Sequence, residues 1–114
     1  MKLKPIIRRA LAEQDVLEAA RYYLEQDAPQ AAFDLVDELE AALGHIQRHP
    51  GTGSPRYAHT LNLPGLRFWS CTRFPYLVFY FEQADSIDVW RVLHGKRDIP
   101  AWLQDDEGSL NQSP

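Results

Sequence analysis

Apolar residues recur at two different intervals in the two halves of this chain. Between residues 29 and 48, Ala32, Leu35, Val36, Leu39, Ala42, Leu43 and Ile46 return every third or fourth position, with Asp34, Asp37, Glu38 and Glu40 off the stripe. That is the pattern of an amphipathic helix. Pro29 suits its first turn and "HPGTG" ends it. Residues 12–26 repeat Val16, Ala20, Tyr23 and Leu24 at the same spacing, and Glu13, Asp15 and Glu18 lie near the positive end of the helix dipole. Only "DAP" separates the two helices, so they should fold back as an antiparallel hairpin.

Beyond residue 65 the period falls to two. Residues 66–74, 76–83 and 86–94 are rich in Phe, Tyr, Trp, Val and Ile and are separated by Pro75 and by "QADS", which predicts three strands paired as an antiparallel meander. An earlier stretch, residues 3–9, reads as a short strand near a sheet edge, because Pro5 has no N–H to give to a ladder. "DIPAWL" predicts a last helical turn, capped by Asp98 and with Trp102 packing back. The fold class is therefore α+β: N-terminal strand, two-helix hairpin, three-stranded meander and a C-terminal helical turn, in one domain over residues 1–104. Residues 105–114 are polar and are expected to form a flexible tail.

Strand alternation assigns faces. In the middle strand Leu77, Phe79 and Phe81 are expected beneath the helices, with Tyr76, Val78 and Tyr80 on the other side. Arg67, Trp69, Cys71 and Arg73 share one side of the preceding strand. Because arginine is rarely buried, Arg67 and Arg73 are placed with Tyr80 on an open, cationic and aromatic face. In the last strand, Ile87, Val89, Arg91 and Leu93 alternate with Asp88, Trp90, Val92 and His94, and neither set is clearly the inner one, as for a strand covered on both sides.

Composition narrows the function classes. At 114 residues and 45% hydrophobic, the chain suits a single core. Its one cysteine, Cys71, has no internal disulfide partner, and Met1 to Pro5 lack the apolar run of a secretory signal, so the cytoplasm is the expected location. No apolar stretch approaches the roughly 20 residues that a bilayer requires. The net charge of -4 hides an asymmetry. Residues 11–48 carry nine acids against two arginines, whereas residues 49–97 carry six cations against three acids. A local basic face can attract an acidic partner that the net charge would repel. His45, His49 and His59 lack metal-ligand spacing, so no metal or cofactor is expected, and Cys71 reads as a buried thiol.

The pieces "DVLEAARYYLEQDAPQAAFDLVDELEAAL", "HPGTGSPR", "LPGLR", "RFPYLVFYF" and "IDVWRVLHGKRD", in this order, resemble the RelE/ParE superfamily of bacterial toxins from type II toxin-antitoxin systems. The resemblance covers roughly residues 5 to 100, and "RVLHGKRD" is its most recognisable part. It implies the fold predicted above and a toxin that a cognate antitoxin neutralises with an extended or helical segment, giving a toxin-antitoxin hetero-oligomer. RelE-like members cleave mRNA on the ribosome; ParE-like members poison DNA gyrase.

For ribonuclease chemistry a base must activate a 2'-hydroxyl, a cation must meet the phosphorane charge and an acid must protonate the leaving oxygen. His94, Arg97 and Arg73 are the candidates for those roles. Arg67, Trp69, Arg73, Tyr80 and Arg91 are the candidates for gripping a partner. Plainer readings stand beside several of them: His94 can bond the loop beside it, Arg97 can pair with a helix acid, and Tyr80, like Tyr76, can be a packing residue, whereas Arg67 and Arg73 are the better candidates for contacts; Glu82 and Asp88 are expected in solvent. The resemblance implies that ribosome-dependent members typically carry a heavily basic chain and often a tyrosine or histidine close after the last strand; here Trp102 is the only aromatic after His94 and the net charge is -4. "LPGLR" and the "VLHGKRD" ending are similar to the ParE-like form, so the gyrase-directed branch is favoured. A relative that only binds its antitoxin is the third reading. Direct DNA binding is not expected, because the acidic helices cannot neutralise phosphates.

Overall fold

The computed structural model describes residues 3–103. The elements run β1 (Ile6–Arg8), α1 (Ala10–Glu25), α2 (Pro29–Arg48), a 3-10 turn (Pro50–Thr52), α3 (Arg56–Thr60), β2 (Leu66–Ser70), β3 (Tyr76–Glu82) and β4 (Ile87–His94). A helical turn over residues 99–103 follows. The expected tail, residues 105–114, lies outside the described residues.

The helical hairpin forms as its sequence predicts. Asp27 adopts φ 58, the left-handed conformation that closes a helix, and Ala28 and Asp27 donate their N–H groups back to the carbonyls of Tyr23 and Leu24 at 2.9 and 3.1 Å. This paired capping reverses the chain within three residues. Pro29 then opens α2, where its missing N–H costs nothing. Glu13 and Leu17 of α1 and Val36 and Glu40 of α2 line one groove, and the short reversal at 26–28 makes the helices antiparallel.

The sheet order is β1-β4-β3-β2. β2, β3 and β4 form the expected antiparallel meander, while β1 lies parallel to β4, pairing Ile6, Ile7 and Arg8 with Ile87, Asp88 and Val89. The sheet is therefore mixed. β1 is an edge strand, and Pro5 joins only through its carbonyl, which accepts from the N–H of Ile87 at 2.9 Å.

The expected faces of β3 are reversed. Tyr76, Val78 and Tyr80 pack under the helices with Leu35, Leu39, Leu43 and Ile46. Phe79 packs on the opposite side with Leu66, Leu93, Ile99 and Leu103, with Tyr57, Phe68, Trp90 and Trp102 around them. The second cluster is the physical reason. α3 and the 99–103 turn cover the face assumed to be open, so both faces of β3 require apolar residues and alternation carries no contrast.

The undecided parity of β4 has a cause of its own. Phe79 pairs with Arg91 but Tyr80 pairs with Val89, so Trp90 is an extra residue in β4. A β-bulge of this kind resets the period. It lets Val89 and Val92, three positions apart, both join the helix-side core, while the Arg91 guanidinium meets Asp15 of α1.

Candidate functional site

Tyr80 and Arg67 do not form an open face; they hold down the loop that follows α2. The Tyr80 hydroxyl donates to the carbonyl of Pro50 at 2.6 Å and accepts from the N–H of Gly53 at 3.0 Å, while an Arg67 guanidinium N–H donates to the carbonyl of Gly53 at 2.6 Å. Burial, in first place, pushes the Tyr80 hydroxyl above its ordinary pKa. The close approach explains the glycine. A Cβ at position 53 would lie 2.5 Å from the Tyr80 hydroxyl and 3.0 Å from Arg67 Cβ. "HPGTGSPR" is thus a strap over the sheet, and the expected surface role of Tyr80 is corrected: its side chain is fully buried.

Arg91 is corrected likewise. Its Nε and Nη2 each donate to an oxygen of Asp15 at 2.8 Å, and Asp15 also accepts from the backbone N–H of Val92 at 2.9 Å. Both side chains are buried. Asp88, expected in solvent, is also buried and pairs with Arg9 at 2.5 Å. Trp69 is half-buried, and its ring stacks at 4.2 Å on His45, whose Nε2 is the one buried side-chain polar atom without a hydrogen-bond partner among the described residues.

His94 and Arg97 are brought together. They line a cleft of about 470 Å³ between α1 and the end of β4, with Tyr22, Tyr23, Tyr76, Glu18 and Trp102. His94 Nδ1 accepts the backbone N–H of Lys96 at 3.1 Å, so the neutral ring carries its proton on Nε2. The ring meets Tyr76 edge-on at 5.3 Å, and the Arg97 guanidinium lies 4.2 Å above Trp102. Burial, then Tyr23, raise the pKa of Tyr76, against a smaller lowering by Arg97. A cation, an imidazole donor and three phenols could hold an anionic group beside an aromatic ring. Asp98 caps the helical turn by accepting from Ala101 at 3.3 Å, which fixes the loop carrying Lys96 and Arg97.

Arg73 is not in this cleft. It sits in the β2–β3 turn, where its Nε donates to Glu38 of α2 at 3.3 Å. The three residues considered for RNA cleavage are therefore divided between two places.

One surface is not legible from the hydrophobic pattern. Leu17 and Leu24 of α1 are 64% and 55% exposed, and Phe33 and Val36 of α2 are 66% and 39% exposed. Leu24 and Val36 were expected in the buried stripe, but the buried positions of α1 are Ala12, Asp15 and Ala19, a face turned from the one predicted. Between the helices runs an apolar groove of about 250 Å³, floored by Val16, Leu39, Val78 and Val89, with Arg8, Glu13 and Glu40 on its lining. The available signal was surplus: Leu17 and Phe33 fall outside either core stripe.

The family described as "ParE toxin of type II toxin-antitoxin system, parDE" matches residues 6–99. Among solved structures, the chain is similar to the chromosomal ParDE TA system from P. aeruginosa, with a TM-score of 0.69 and 18% identity over 81% of this chain and 96% of that one. At that identity the likeness speaks for the fold alone. No curated protein matches in sequence. No helix among the described residues is long and apolar enough to cross a membrane. The family match extends from β1 through both helices and the whole meander, and on it the chain belongs to the ParE toxin family of type II toxin-antitoxin systems.

Proposed function

We propose that this chain is a growth-inhibiting toxin that a cognate antitoxin neutralises, and that in its free form it inhibits DNA gyrase. The observation that carries the reading is the family match over residues 6–99. The antitoxin is further supported by the uncovered apolar face of the helical hairpin, since an amphipathic segment laid along Leu17, Phe33 and Val36 would bury side chains that otherwise face water. Toxin and antitoxin then form a hetero-oligomer in the cytoplasm, and any contact with operator DNA is made by the antitoxin.

Inhibition of gyrase requires a binding surface and no proton-transfer site, so the chain is not an enzyme in this reading. The dispersal of the nuclease candidates supports it: Arg73 is bonded to Glu38 in the β2–β3 turn, away from the cleft that holds His94 and Arg97. One observation favours a second reading, ribosome-dependent mRNA cleavage. His94 and Arg97 share an aromatic-lined cleft, where the imidazole could serve as acid or base and the guanidinium could meet a phosphate.

The deciding experiment is to titrate the folded toxin, freed from its antitoxin, into gyrase supercoiling and DNA-cleavage reactions. Loss of supercoiling with trapped broken DNA is expected. Unchanged supercoiling would overturn the gyrase reading and turn attention to cleavage of ribosome-bound mRNA.

A further inference from the structure

The β2–β3 turn, residues 71–75, gathers four donors around one carboxylate. Thr72 gives its backbone N–H and its hydroxyl to Oε2 of Glu38 at 2.6 and 2.7 Å, and Arg73 adds its own N–H to the same oxygen at 3.0 Å. The Nε of Arg73 reaches Oε1 at 3.3 Å. Successive backbone N–H groups turned toward one point make an anion-binding concavity, and a hydroxyl and a guanidinium beside them make the bonds charge-assisted.

Glu38 reaches this concavity from a separate element, α2. From the side of the turn it is therefore a ligand, supplied by the same chain. Its pKa is held at about 2, chiefly by the Thr72 hydroxyl and then by the Arg73 N–H, so the donors face an anion at neutral pH. Glu38 is nearly covered, with 12% of its side chain exposed, whereas Arg73 is 61% exposed; the concavity opens to solvent on the arginine side. The turn is closed by its own backbone bonds, Cys71 N–H to the carbonyl of Tyr76 and Tyr76 N–H to that of Phe74, both at 2.9 Å. Its shape therefore does not depend on Glu38 alone.

We propose that the β2–β3 turn is a carboxylate-binding site, filled in the free protein by the chain's own Glu38, and that it accepts a carboxylate from outside when that side chain is taken away. This inference stands apart from the choice between gyrase and ribosome, because it concerns only the turn and what it holds.

The test is chemical rescue of Glu38→Ala. Anions that bind only the folded state raise its melting temperature. In the Ala variant, acetate should raise it relative to chloride at equal ionic strength, by on the order of 5 °C at about tenfold over the dissociation constant, while the wild-type chain shows no such difference. The amide resonances of Thr72 and Arg73 should shift saturably with acetate in the variant alone. If the variant is unfolded in chloride, its refolding in acetate supports the site and its failure to refold overturns it. Equal melting in acetate and chloride, or an equal rise in the wild type, overturns the site; rescue by inorganic phosphate and not by acetate overturns carboxylate as its ligand.

Discussion

Asp15 and Arg91 form a bidentate ion pair, 2.8 Å at each contact, buried between α1 and the bulge of β4. The same carboxylate takes the N–H of Val92, so one side chain neutralises the arginine and satisfies a backbone group beside the bulge. Removing one partner of such a pair leaves a buried charge without compensation. Asp15→Ala should lower unfolding free energy by about 3–5 kcal/mol, measured by urea denaturation. The apolar double replacement Asp15→Leu with Arg91→Met should cost less than the single change, and the reverse order would show that the pair is not the source.

This pair shows what the sequence could and could not reveal. The helical hairpin, the meander, the edge strand and the Asp98 cap were legible, because periodicity, prolines and short polar connections report local structure; α3 was not. The faces were not, because they depend on what covers them. β3 is apolar on both sides, and only the arrival of α3 and the 99–103 turn gives Phe79 its partners. The placing of both Val89 and Val92 in the helix-side core depends on a single extra residue, Trp90, which no alternation rule contains. At the candidate sites the residue types were recognisable, but their partners came from distant elements: Glu38 for Arg73, Pro50 and Gly53 for Tyr80, and Tyr76 for His94.

The strap over the sheet should show energetic coupling. Gly53→Ala forces a methyl group toward the Tyr80 hydroxyl, an overpacking expected to cost about 1–3 kcal/mol. Tyr80→Phe removes the hydroxyl and leaves the Gly53 N–H without its acceptor, at about 1–3 kcal/mol. Combined, the two changes should cost less than their sum, since the lost oxygen was the nearest obstacle. Strict additivity in denaturant titrations would argue against the clash.

Stability should fall in acid partly through Glu38. Its folded pKa, about 2, lies below the ordinary 4.5, so the unfolded chain takes up a proton first as pH drops. The contribution is present in full above about 4.5 and is lost as pH falls toward 2. Glu38→Gln should flatten the dependence in that window and leave the slope between pH 6 and 8 unchanged, as thermal melts across pH would record.

The exposed hairpin face separates binding from folding. Phe33 is far into solvent, so Phe33→Asp should change stability by no more than about 0.5 kcal/mol. If the antitoxin lies along this face, the same change should weaken its binding at least tenfold, on the order of 1.4 kcal/mol. Calorimetric titration of antitoxin into each variant measures this, and unchanged affinity would place the antitoxin elsewhere.

His94 distinguishes the two modes of toxicity. Its Nδ1 is committed to the Lys96 N–H, and its ring rests against Tyr76, so truncation removes a loop contact in either case. A gyrase inhibitor needs that contact only to hold the loop; His94→Gln, whose carboxamide can still accept from the loop, should then retain inhibition of supercoiling within a few fold. In a ribonuclease the imidazole moves a proton, and neither Gln nor Ala can replace it. Cleavage of ribosome-bound mRNA would fall by about 10²–10⁴-fold in both variants. Growth arrest after expression of the wild-type, Gln and Ala chains, read beside gyrase supercoiling and mRNA cleavage in the same cells, ties the residue to one target: arrest that survives His94→Gln and follows supercoiling belongs to gyrase, and arrest abolished by both variants together with mRNA cleavage belongs to the ribosome.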